Sequence, residues 1–404
     1  MPANKNTTKP ATGKPLRFAH PFYTDTPITQ RASIPGTGNR MLDFVATKLL
    51  PFPDPQREPS MLLSDIIGQQ GASDVQAEQF FCFHAVGDTG HENGLGQEQV
   101  STAMAHDYNP AHPAQSPAFL LHLGDVIYYD NTDKGYQAQF YVPYKKYPGK
   151  IIAIPGNHDG EIFKFDGTPT GQKASLAAFW RNFCQSKPGV PPDAGTIYRE
   201  MISQPGAYWW LNAPFIDIIG LYSNIGEGPG FINVPTVGGL KQTDWLKKTL
   251  TAIQKQRTGG QRKALLIAVH HPPFSQGGHS GSSAMLQDID KCCTQSGIMP
   301  DMVLAAHAHN YQRFTRYMNF GGKNMQIPFY VAGCGGRGLV AVSQATGKRQ
   351  GDNSFDSSLM GYGYLTITAS PKQLSALFTQ VDAQGARSQF DKKIVVDLNT
   401  SQIL

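Results

Sequence analysis

The sequence has few cysteines, and their spacing gives no pairing pattern. Only five occur among 404 residues, and two of them, Cys292 and Cys293, are adjacent. An odd number without paired spacing is a poor basis for a disulfide framework, so the sequence predicts reduced thiols.

Long hydrophobic runs are also missing. No apolar stretch in the sequence is long enough to predict a transmembrane helix. The amino-terminal region contains Lys5 and Lys9, but no apolar core follows them, so no secretory signal is recognised in the sequence as written. Together with the unpaired cysteines, these absences predict a cytoplasmic location and no membrane association.

No strongly charged segment stands out. The 35 basic and 30 acidic residues are mixed along the chain and give a formal net charge of +5. A nucleic-acid binder usually shows a clustered basic run, so nucleic acid is not an expected partner. The weak positive charge favours small anionic substrates, and the sequence carries no signal for an oligomeric state.

Length and composition predict one large domain behind a polar extension. With 40% hydrophobic residues, 404 residues suffice for one large or two ordinary domains. Residues 1–79 are predicted to be an N-terminal extension, disordered over residues 1–16 and helical over residues 41–50. Residues 80–404 show no clear linker or repeat. Within them, residues 240–256 predict a helix with one apolar face, and residues 207–223 predict a hairpin.

Five short apolar runs each end at a side chain that can bind a metal ion. The runs are apolar and β-branched, which predicts buried strands of an α/β sheet. The end residues are Asp88, Asp125, Asn157, His270, and His307 with His309. Since the carboxyl ends of such strands meet in one crevice, these side chains are expected to lie together. Oxygen and imidazole ligands without thiolate suit iron, manganese or zinc, and the expected chemistry is metal-assisted hydrolysis.

The two aspartate motifs differ in what they offer a metal ion. Asp88 lies between glycines in GDTG, where an isolated aspartate is most often a turn residue. Asp125, in GDVIY, has two carboxylate oxygens that can bridge two cations. Tyr128 follows three residues later, and a phenol with an ordinary pKa of about 10 coordinates as phenolate only to a strong Lewis acid such as ferric iron. The alternative is that Tyr128 packs in the core beside Tyr129.

The motif GNHDG adds an amide and an imidazole. Asn157 offers a neutral oxygen to a cation. His158 is predicted to contact a bound phosphate or to protonate a leaving group, since imidazole titrates near neutrality. Asp159 either orients that imidazole or caps the turn.

Two histidine pairs complete the set. In extended chain, positions two residues apart face the same side, so His307 and His309 can reach two neighbouring ions together. His270 and His271 are adjacent and point apart, which predicts different roles for them.

The ordered set GD, GDxxY, GNHD, a histidine and proline at a strand end, and HxH resembles the calcineurin-like metallophosphoesterases. The tyrosine of the second motif narrows the resemblance to the purple acid phosphatase branch. The resemblance extends from about Phe80 to the final strands. It implies an α/β fold of two packed mixed β-sheets flanked by helices, with a dinuclear metal site at the carboxyl ends of the strands.

The resemblance also implies a ligand set for each of two metal ions. The ferric ion would be held by Asp88, Asp125, Tyr128 and His309. The divalent ion, iron, zinc or manganese, would be held by Asp125, Asn157, His270 and His307. Gly90 stands where the wider superfamily has a metal-binding histidine, which supports Tyr128 as the replacing ligand. Two positions depart from the pattern, because Ala306 replaces a glycine and His271 replaces a tyrosine.

The resulting prediction is an acid phosphatase that hydrolyses phosphate monoesters of small molecules by a metal-bound hydroxide. His158 would assist the departing alkoxide, with His271 as a second candidate. The predicted substrate contacts are His91 and Arg337.

Two alternatives stay open. A manganese-dependent phosphodiesterase or nucleotide hydrolase would use the same site with Tyr128 idle. The second is a metal- or phosphate-binding protein without catalysis, although open coordination positions favour an enzyme. A nucleotide-binding loop at residues 333–338 is poorly supported, since that run follows a strand and opens no helix.

Overall fold

The computed structural model of the protein describes residues 50–51, 53–91, 94–164, 166–234, 239–260 and 262–404. The predicted disorder over residues 1–16 falls outside these ranges. So does the predicted helix over residues 41–50, except for Leu50.

Seventeen strands within the described ranges form two mixed sheets. In chain order they are β1 (Ser60–Leu62), β2 (Phe81–Val86), β3 (Phe119–His122), β4 (Lys150–Ala153), β5 (Trp209–Asn212), β6 (Ile216–Leu221), β7 (Ala264–Val269), β8 (Met302–Ala305), β9 (Tyr311–Phe320), β10 (Lys323–Ala332), β11 (Arg349–Gln350), β12 (Asn353–Leu359), β13 (Gly363–Ala369), β14 (Gln373–Val381), β15 (Arg387–Gln389), β16 (Ile394–Asp397) and β17 (Gln402–Ile403). The nine-stranded sheet has the order β1-β5-β6-β7-β8-β10-β9-β12-β11. The eight-stranded sheet has the order β17-β16-β14-β13-β2-β3-β4, with β15 paired to β14.

Helices connect and flank these strands. In chain order they are α1 (Leu63–Glu78), α2 (Leu95–Ala105), α3 (Asp133–Tyr136), α4 (Val142–Tyr144), α5 (Asn157–Gly160), α6 (Ala177–Phe183), α7 (Gly239–Thr258) and α8 (Ser283–Ser296), with a π-helical turn at Gln137–Tyr141 and 3-10 turns at Pro113–Gln115 and Pro192–Ala194. None of the helices in the described ranges has the length and apolarity needed to cross a membrane. The cytoplasmic location stays a prediction.

Apolar side chains fill the space between the two sheets. Phe83 and Phe119 of the eight-stranded sheet belong to the same buried cluster as Leu266 and Leu304 of the nine-stranded sheet. The predicted architecture of two packed mixed sheets with flanking helices is therefore confirmed. All five cysteines are buried and free, as predicted.

Helix α7 covers the outer face of the nine-stranded sheet. Its buried residues Leu246, Leu250 and Ile253 lie in one cluster with Leu265 and Ile267 of β7. Their spacing of three to four residues places them on one face of the helix, so the helix predicted over residues 240–256 is confirmed. The predicted hairpin is also present, because β5 and β6 pair antiparallel.

Part of the predicted N-terminal extension packs against the two sheets. Strand β1 pairs in parallel with β5, and Met61, Leu63 and Val75 are part of the core between the sheets. The partner strand of β1 lies far away in the sequence, so no local pattern indicates this pairing, and the boundary at residue 80 stays a prediction.

Candidate metal centre

The five predicted strand ends come from both sheets. Strands β2, β3 and β4 are parallel to one another in the eight-stranded sheet, and β6, β7 and β8 are parallel in the nine-stranded sheet. Asp88, Asp125 and Asn157 follow the first three strands. His270 and His307 follow β7 and β8. The packing of the two sheets therefore brings carboxyl ends of both to one edge of the molecule.

Four of the predicted ligands have a backbone conformation that residues other than glycine rarely adopt. The φ angles are 53° at Asp88 and at Asp125, 69° at His307 and 25° at His309. A residue in this region costs about 1–3 kcal/mol and persists only where the surrounding structure holds it in place. Such strain concentrates at functional sites, so it supports a functional reading of these strand ends.

The glycines of the aspartate and asparagine motifs are needed for close approach. A Cβ atom at Gly156 would lie 2.1 Å from Asp125 Oδ1. At Gly90 it would lie 2.6 Å from Ile127 Cα, so no side chain fits where the wider superfamily has a histidine. A Cβ atom at Gly333, in the later glycine-rich segment, would lie 2.4 Å from Asp88 Oδ2. These contacts explain why glycine surrounds the candidate ligands.

The candidate ligands form two groups that share one residue. In the first group, ligand atoms of Asp125, His270 and His307 lie within 4.8 Å of one another. In the second group, ligand atoms of Asp88, Asp125 and His309 also lie within 4.8 Å of one another. Asp125 has two carboxylate oxygens and can therefore bridge two cations.

The remaining two predicted ligands join these groups. Asn157 Oδ1 lies 3.0 Å from His270 Nε2, in the first group. The Tyr128 hydroxyl lies 3.0 Å from Asp88 Oδ1 and 3.0 Å from His309 Nε2, in the second group. All seven predicted ligand residues are thus brought together, and their division matches the two sets implied by the sequence resemblance.

Backbone carbonyls fix the orientation of two imidazoles. His270 Nδ1 lies 2.8 Å from the carbonyl oxygen of Leu123, and His309 Nδ1 lies 3.1 Å from that of Gly338. A carbonyl oxygen can only accept, so Nδ1 must be the donor in both rings. This leaves Nε2 directed at the ligand groups, as is usual for metal-binding histidines.

The charge balance of the centre depends on His270. Burial raises the pKa of Asp88 to about 7, although the charge of His270 acts in the opposite direction. Burial also acts to raise the pKa of Asp125, but His270 holds it below its usual range. Burial acts to lower the pKa of His270, yet Asp125 raises it to about 9. The His270 imidazolium thus neutralises buried carboxylates, a task that a bound cation would take over.

Unpartnered buried atoms test whether these residues fit a metal ion. Within the described ranges, Asp125 Oδ2 and His307 Nε2 are buried and have no hydrogen-bond partner. Leaving a buried polar atom in this state costs about 1–3 kcal/mol. A cation held by the first group would satisfy both atoms, so the donor set and its geometry fit a metal ion.

Comparison with known proteins agrees with this geometry. The sequence profile of the calcineurin-like phosphoesterase family matches residues 81–311, more than half of the 404-residue chain. The chain belongs to the calcineurin-like phosphoesterase family. The matched segment extends from the start of β2 to Tyr311, and it includes all the candidate ligands. This family uses a dinuclear metal centre and acts on phosphorylated substrates.

Several solved structures are similar to this chain at low sequence identity. A purple acid phosphatase from yellow lupin (Lupinus luteus) seeds superimposes with a TM-score of 0.52 and 14% identity, over 84% of this chain and 54% of that chain. GAP50, the anchor in the inner membrane complex of Plasmodium, gives a TM-score of 0.49 and 12% identity, over 80% and 91% of the two chains. A dimetal phosphatase from Danio rerio gives 0.41 and 11%, over 79% and 99%. No curated protein sequence shows significant similarity.

His158 lies between two carboxylates. Its Nδ1 lies 2.8 Å from Glu161 Oε2, and its Nε2 lies 3.5 Å from Glu227 Oε1. The imidazole centroid is 4.4 Å from that of the Tyr128 ring, which places His158 beside the second ligand group. Burial acts to lower the pKa of His158, but Glu161, Asp125 and Glu227 raise it well above its ordinary value. The two glutamates were not predicted, because neither lies in a motif.

His271 and Asp159 lie near the candidate ligands and contact the backbone of neighbouring loops. His271 Nδ1 lies 2.7 Å from Ser223 Oγ, and its Nε2 lies 2.6 Å from the carbonyl oxygen of Gly226. The Gly226 carbonyl oxygen can only accept, so Nε2 carries the ring proton, and burial lowers the pKa of His271 to about 3. The ring is therefore neutral with its proton held by the backbone, which favours a positioning role over proton donation. Asp159 accepts hydrogen bonds from the Gly156 and Val126 backbone amides, so it caps the turn and does not orient His158.

No sequence motif singles out His279, yet it lies at the candidate metal centre. The ring centroids of His279 and His307 are 4.0 Å apart, and His279 Nδ1 lies 2.9 Å from the Glu227 carbonyl oxygen. Burial lowers the pKa of His279 to about 4, which favours its neutral form. The proximity of the glycine pair in QGGH to the HHPP motif was the only sequence signal that could have indicated it.

The two predicted substrate contacts have different surroundings. The Arg337 guanidinium carbon lies 4.2 Å from the centroid of the Tyr128 ring, next to the second ligand group. His91 follows Gly90 and is partly buried, but the next two residues lie outside the described ranges. Contact of either side chain with substrate stays a prediction.

Proposed function

We propose that this chain is a dinuclear metal-dependent phosphatase of the purple acid phosphatase type that hydrolyses phosphate monoesters of small molecules. The observation that carries the proposal is the pair of ligand groups joined by Asp125, with the Tyr128 hydroxyl beside one of them. A phenol is unusual among metal ligands and suits a ferric ion.

The proposed ligands follow the two groups. A ferric ion is assigned to Asp88, Asp125, Tyr128 and His309. A divalent iron, zinc or manganese ion is assigned to Asp125, Asn157, His270 and His307. Two such cations would lower the pKa of a coordinated water molecule and stabilise negative charge on the phosphate oxygens.

Protonation of the leaving group is assigned to His158. Its ring lies beside the Tyr128 ring, and its backbone amide donates to Asp125 Oδ1 at 2.9 Å, so it is tied to the bridging ligand. Glu161 holds Nδ1 and thereby fixes the orientation of the ring. The proton at Nε2 passes to the oxygen of the departing alcohol. His271 supports this arrangement, since it holds the backbone of Gly226 next to Glu227.

A second candidate function is hydrolysis of phosphodiesters at a centre in which Tyr128 does not bind a metal ion. The observation that favours it is the pair of glutamates beside His158. In the described part of the chain, His158 is the only basic side chain within ion-pair distance of Glu161 or Glu227. Burial raises the pKa of Glu227, although His158 acts in the opposite direction. When both glutamates are ionised, two carboxylates against one imidazolium leave a negative charge next to the site, and this charge repels a monoester dianion more than a diester monoanion.

Metal analysis and a visible spectrum test the first proposal. Protein purified without chelator is expected to hold iron and a divalent metal and to show a broad band that shifts on mild reduction. Tyr128→Phe is expected to abolish the band while iron is retained, and the neighbouring Tyr129→Phe serves as the matched control with the band intact.

Substrate preference separates the two candidates. With both metals present, p-nitrophenyl phosphate is expected to turn over faster than bis(p-nitrophenyl) phosphate. If the protein is colourless, holds two manganese or zinc ions and prefers the diester, the phosphodiesterase proposal replaces the phosphatase proposal. Failure of metal-loaded protein to hydrolyse either ester would contradict both.

A further inference from the structure

Arg337 lies in a segment that is fixed against the candidate metal centre. The segment follows β10, and the backbone amide of Arg337 donates a hydrogen bond to the carbonyl oxygen of Asp88 at 2.9 Å. Gly333 and Gly335 permit the approach, because a Cβ atom at either would lie 2.4–2.5 Å from Asp88 Oδ2 or Thr89 Cγ2. The position of Arg337 is therefore set by the same backbone that carries a proposed ferric ligand.

The guanidinium group contacts aromatic rings and not a carboxylate. Its carbon lies 4.2 Å from the centroid of Tyr128 and 5.2 Å from the centroid of Tyr129. Among the described residues, no aspartate or glutamate lies within ion-pair distance of this side chain. Its positive charge is thus directed at the faces of the two rings, which carry the negative end of the ring quadrupole.

The Tyr128 ring is an environment in which this charge has a large effect. The ring is buried, with 1% of the residue exposed, and Arg337 is only partly exposed, so water screens the interaction less than it would at an open surface. The hydroxyl end of the ring lies between Asp88 and His309, while the guanidinium lies over its face. An attraction between Arg337 and the ring becomes much stronger when the phenol carries negative charge as a metal ligand.

We propose that Arg337 is an electrostatic positioning residue that tunes the Tyr128 phenolate in the iron-loaded protein. This inference rests on the proposed iron ligand set. The guanidinium lies over the face of the Tyr128 ring, so it would stabilise the donor electrons of a bound phenolate directly. It therefore moves the phenolate-to-iron charge-transfer band to shorter wavelength, and it raises the reduction potential of the iron by making the phenolate a weaker donor.

The test compares visible spectra and iron reduction potentials of iron-loaded variants. Arg337→Met removes the charge and keeps a long apolar side chain, so the band is expected at longer wavelength and the potential is expected to fall. Arg337→Lys keeps a positive charge and is expected to stay close to the wild type. Arg349→Met is the matched control, since the Arg349 guanidinium carbon lies 4.5 Å from the Tyr317 ring, on strands that contribute no candidate ligand.

The outcomes distinguish this inference from the proposed function. A band that shifts in Arg337→Met alone supports both. A wild-type band that stays in place in Arg337→Met overturns the inference and leaves the ligand assignment intact, and equal shifts in the Met and Lys variants overturn it because they would indicate packing rather than charge. Iron-loaded wild type without any band overturns the Tyr128 assignment and the inference together.

Discussion

Asp125 is the residue on which both ligand groups depend. Its side chain is fully buried, and its φ of 53° orients it toward the two groups at once. No other candidate ligand belongs to both groups. A change at this residue therefore acts on two metal positions, whereas a change at His307 or His309 acts on one.

Replacement of Asp125 is expected to remove both metals. Asp125→Asn keeps the size of the side chain but loses the negative charge and one of the two anionic oxygens that a bridge requires. Metal analysis should show loss of both ions, and phosphatase activity should fall below detection. Asp193→Asn is the control, because Asp193 is a buried carboxylate that pairs with Arg181 instead. Full metal content in Asp125→Asn would contradict the bridging assignment.

His158 is expected to affect turnover without affecting metal content. His158→Asn removes the proposed proton donor, and general acid catalysis typically contributes about 100-fold or more. The loss of kcat should be largest for alkyl phosphates and smallest for p-nitrophenyl phosphate, whose leaving group needs no proton. Steady-state kinetics on the two kinds of ester measure this difference. An equal loss on both would argue that His158 binds the phosphate instead.

At the scale of the strand and its following turn, glycine controls how closely two ligand loops approach. Gly156 precedes Asn157 at the end of β4, and its missing side chain leaves room for the Asp125 carboxylate of the neighbouring loop. Gly156→Ala would place a methyl group 2.1 Å from Asp125 Oδ1, so one of the loops must move.

We expect Gly156→Ala to weaken metal retention and to reduce stability by about 1–3 kcal/mol, the usual cost of overpacking. Dialysis against a weak chelator followed by metal analysis measures the first effect, and urea denaturation measures the second. Gly189→Ala is the control, since the nearest atom to its added Cβ would be 3.8 Å away. Unchanged metal retention in Gly156→Ala would show that the loop tolerates the displacement.

The sequence predicted the strand ends because each ligand follows a short apolar run directly. It did not predict Glu227 or His279, which lie outside the regular elements and follow no apolar run. The role of His271 as a second proton donor stays a prediction, and its contacts with Ser223 and the Gly226 carbonyl come from a distant loop that no local pattern indicates. Local patterns therefore indicated the ligands, while contacts between distant loops decided the surroundings of His158.

At the scale of the whole molecule, the metal centre depends on strands that must keep their positions in the sheet. His270 and His307 follow the carboxyl ends of β7 and β8, and the other end of these strands is held by Asp301. This carboxylate accepts hydrogen bonds from the Leu265 amide and from the guanidinium groups of Arg257 and Arg262. One buried charge thus joins α7, β7 and β8.

The pH dependence of this network has a definite sign. Burial acts to raise the pKa of Asp301, but Arg262 and Arg257 hold it below its usual value. A carboxylate with a lowered pKa in the folded state contributes its full stabilisation above its unfolded pKa of about 3.9. That contribution is lost as the pH falls through the folded pKa, because the protonated acid no longer attracts the two arginines.

Asp301→Asn is therefore expected to reduce the free energy of unfolding by about 3 kcal/mol at neutral pH, since it leaves two partly buried guanidinium groups without their counter-charge. Urea denaturation of metal-free protein over a descending pH series should show the difference from wild type shrinking below about pH 4. Asp54→Asn is the control, because Asp54 and its partner Lys241 are both 67% exposed, and such pairs contribute about 1 kcal/mol or less. A difference that stays constant as the protein is acidified would mean that Asp301 acts through packing and not through its charge.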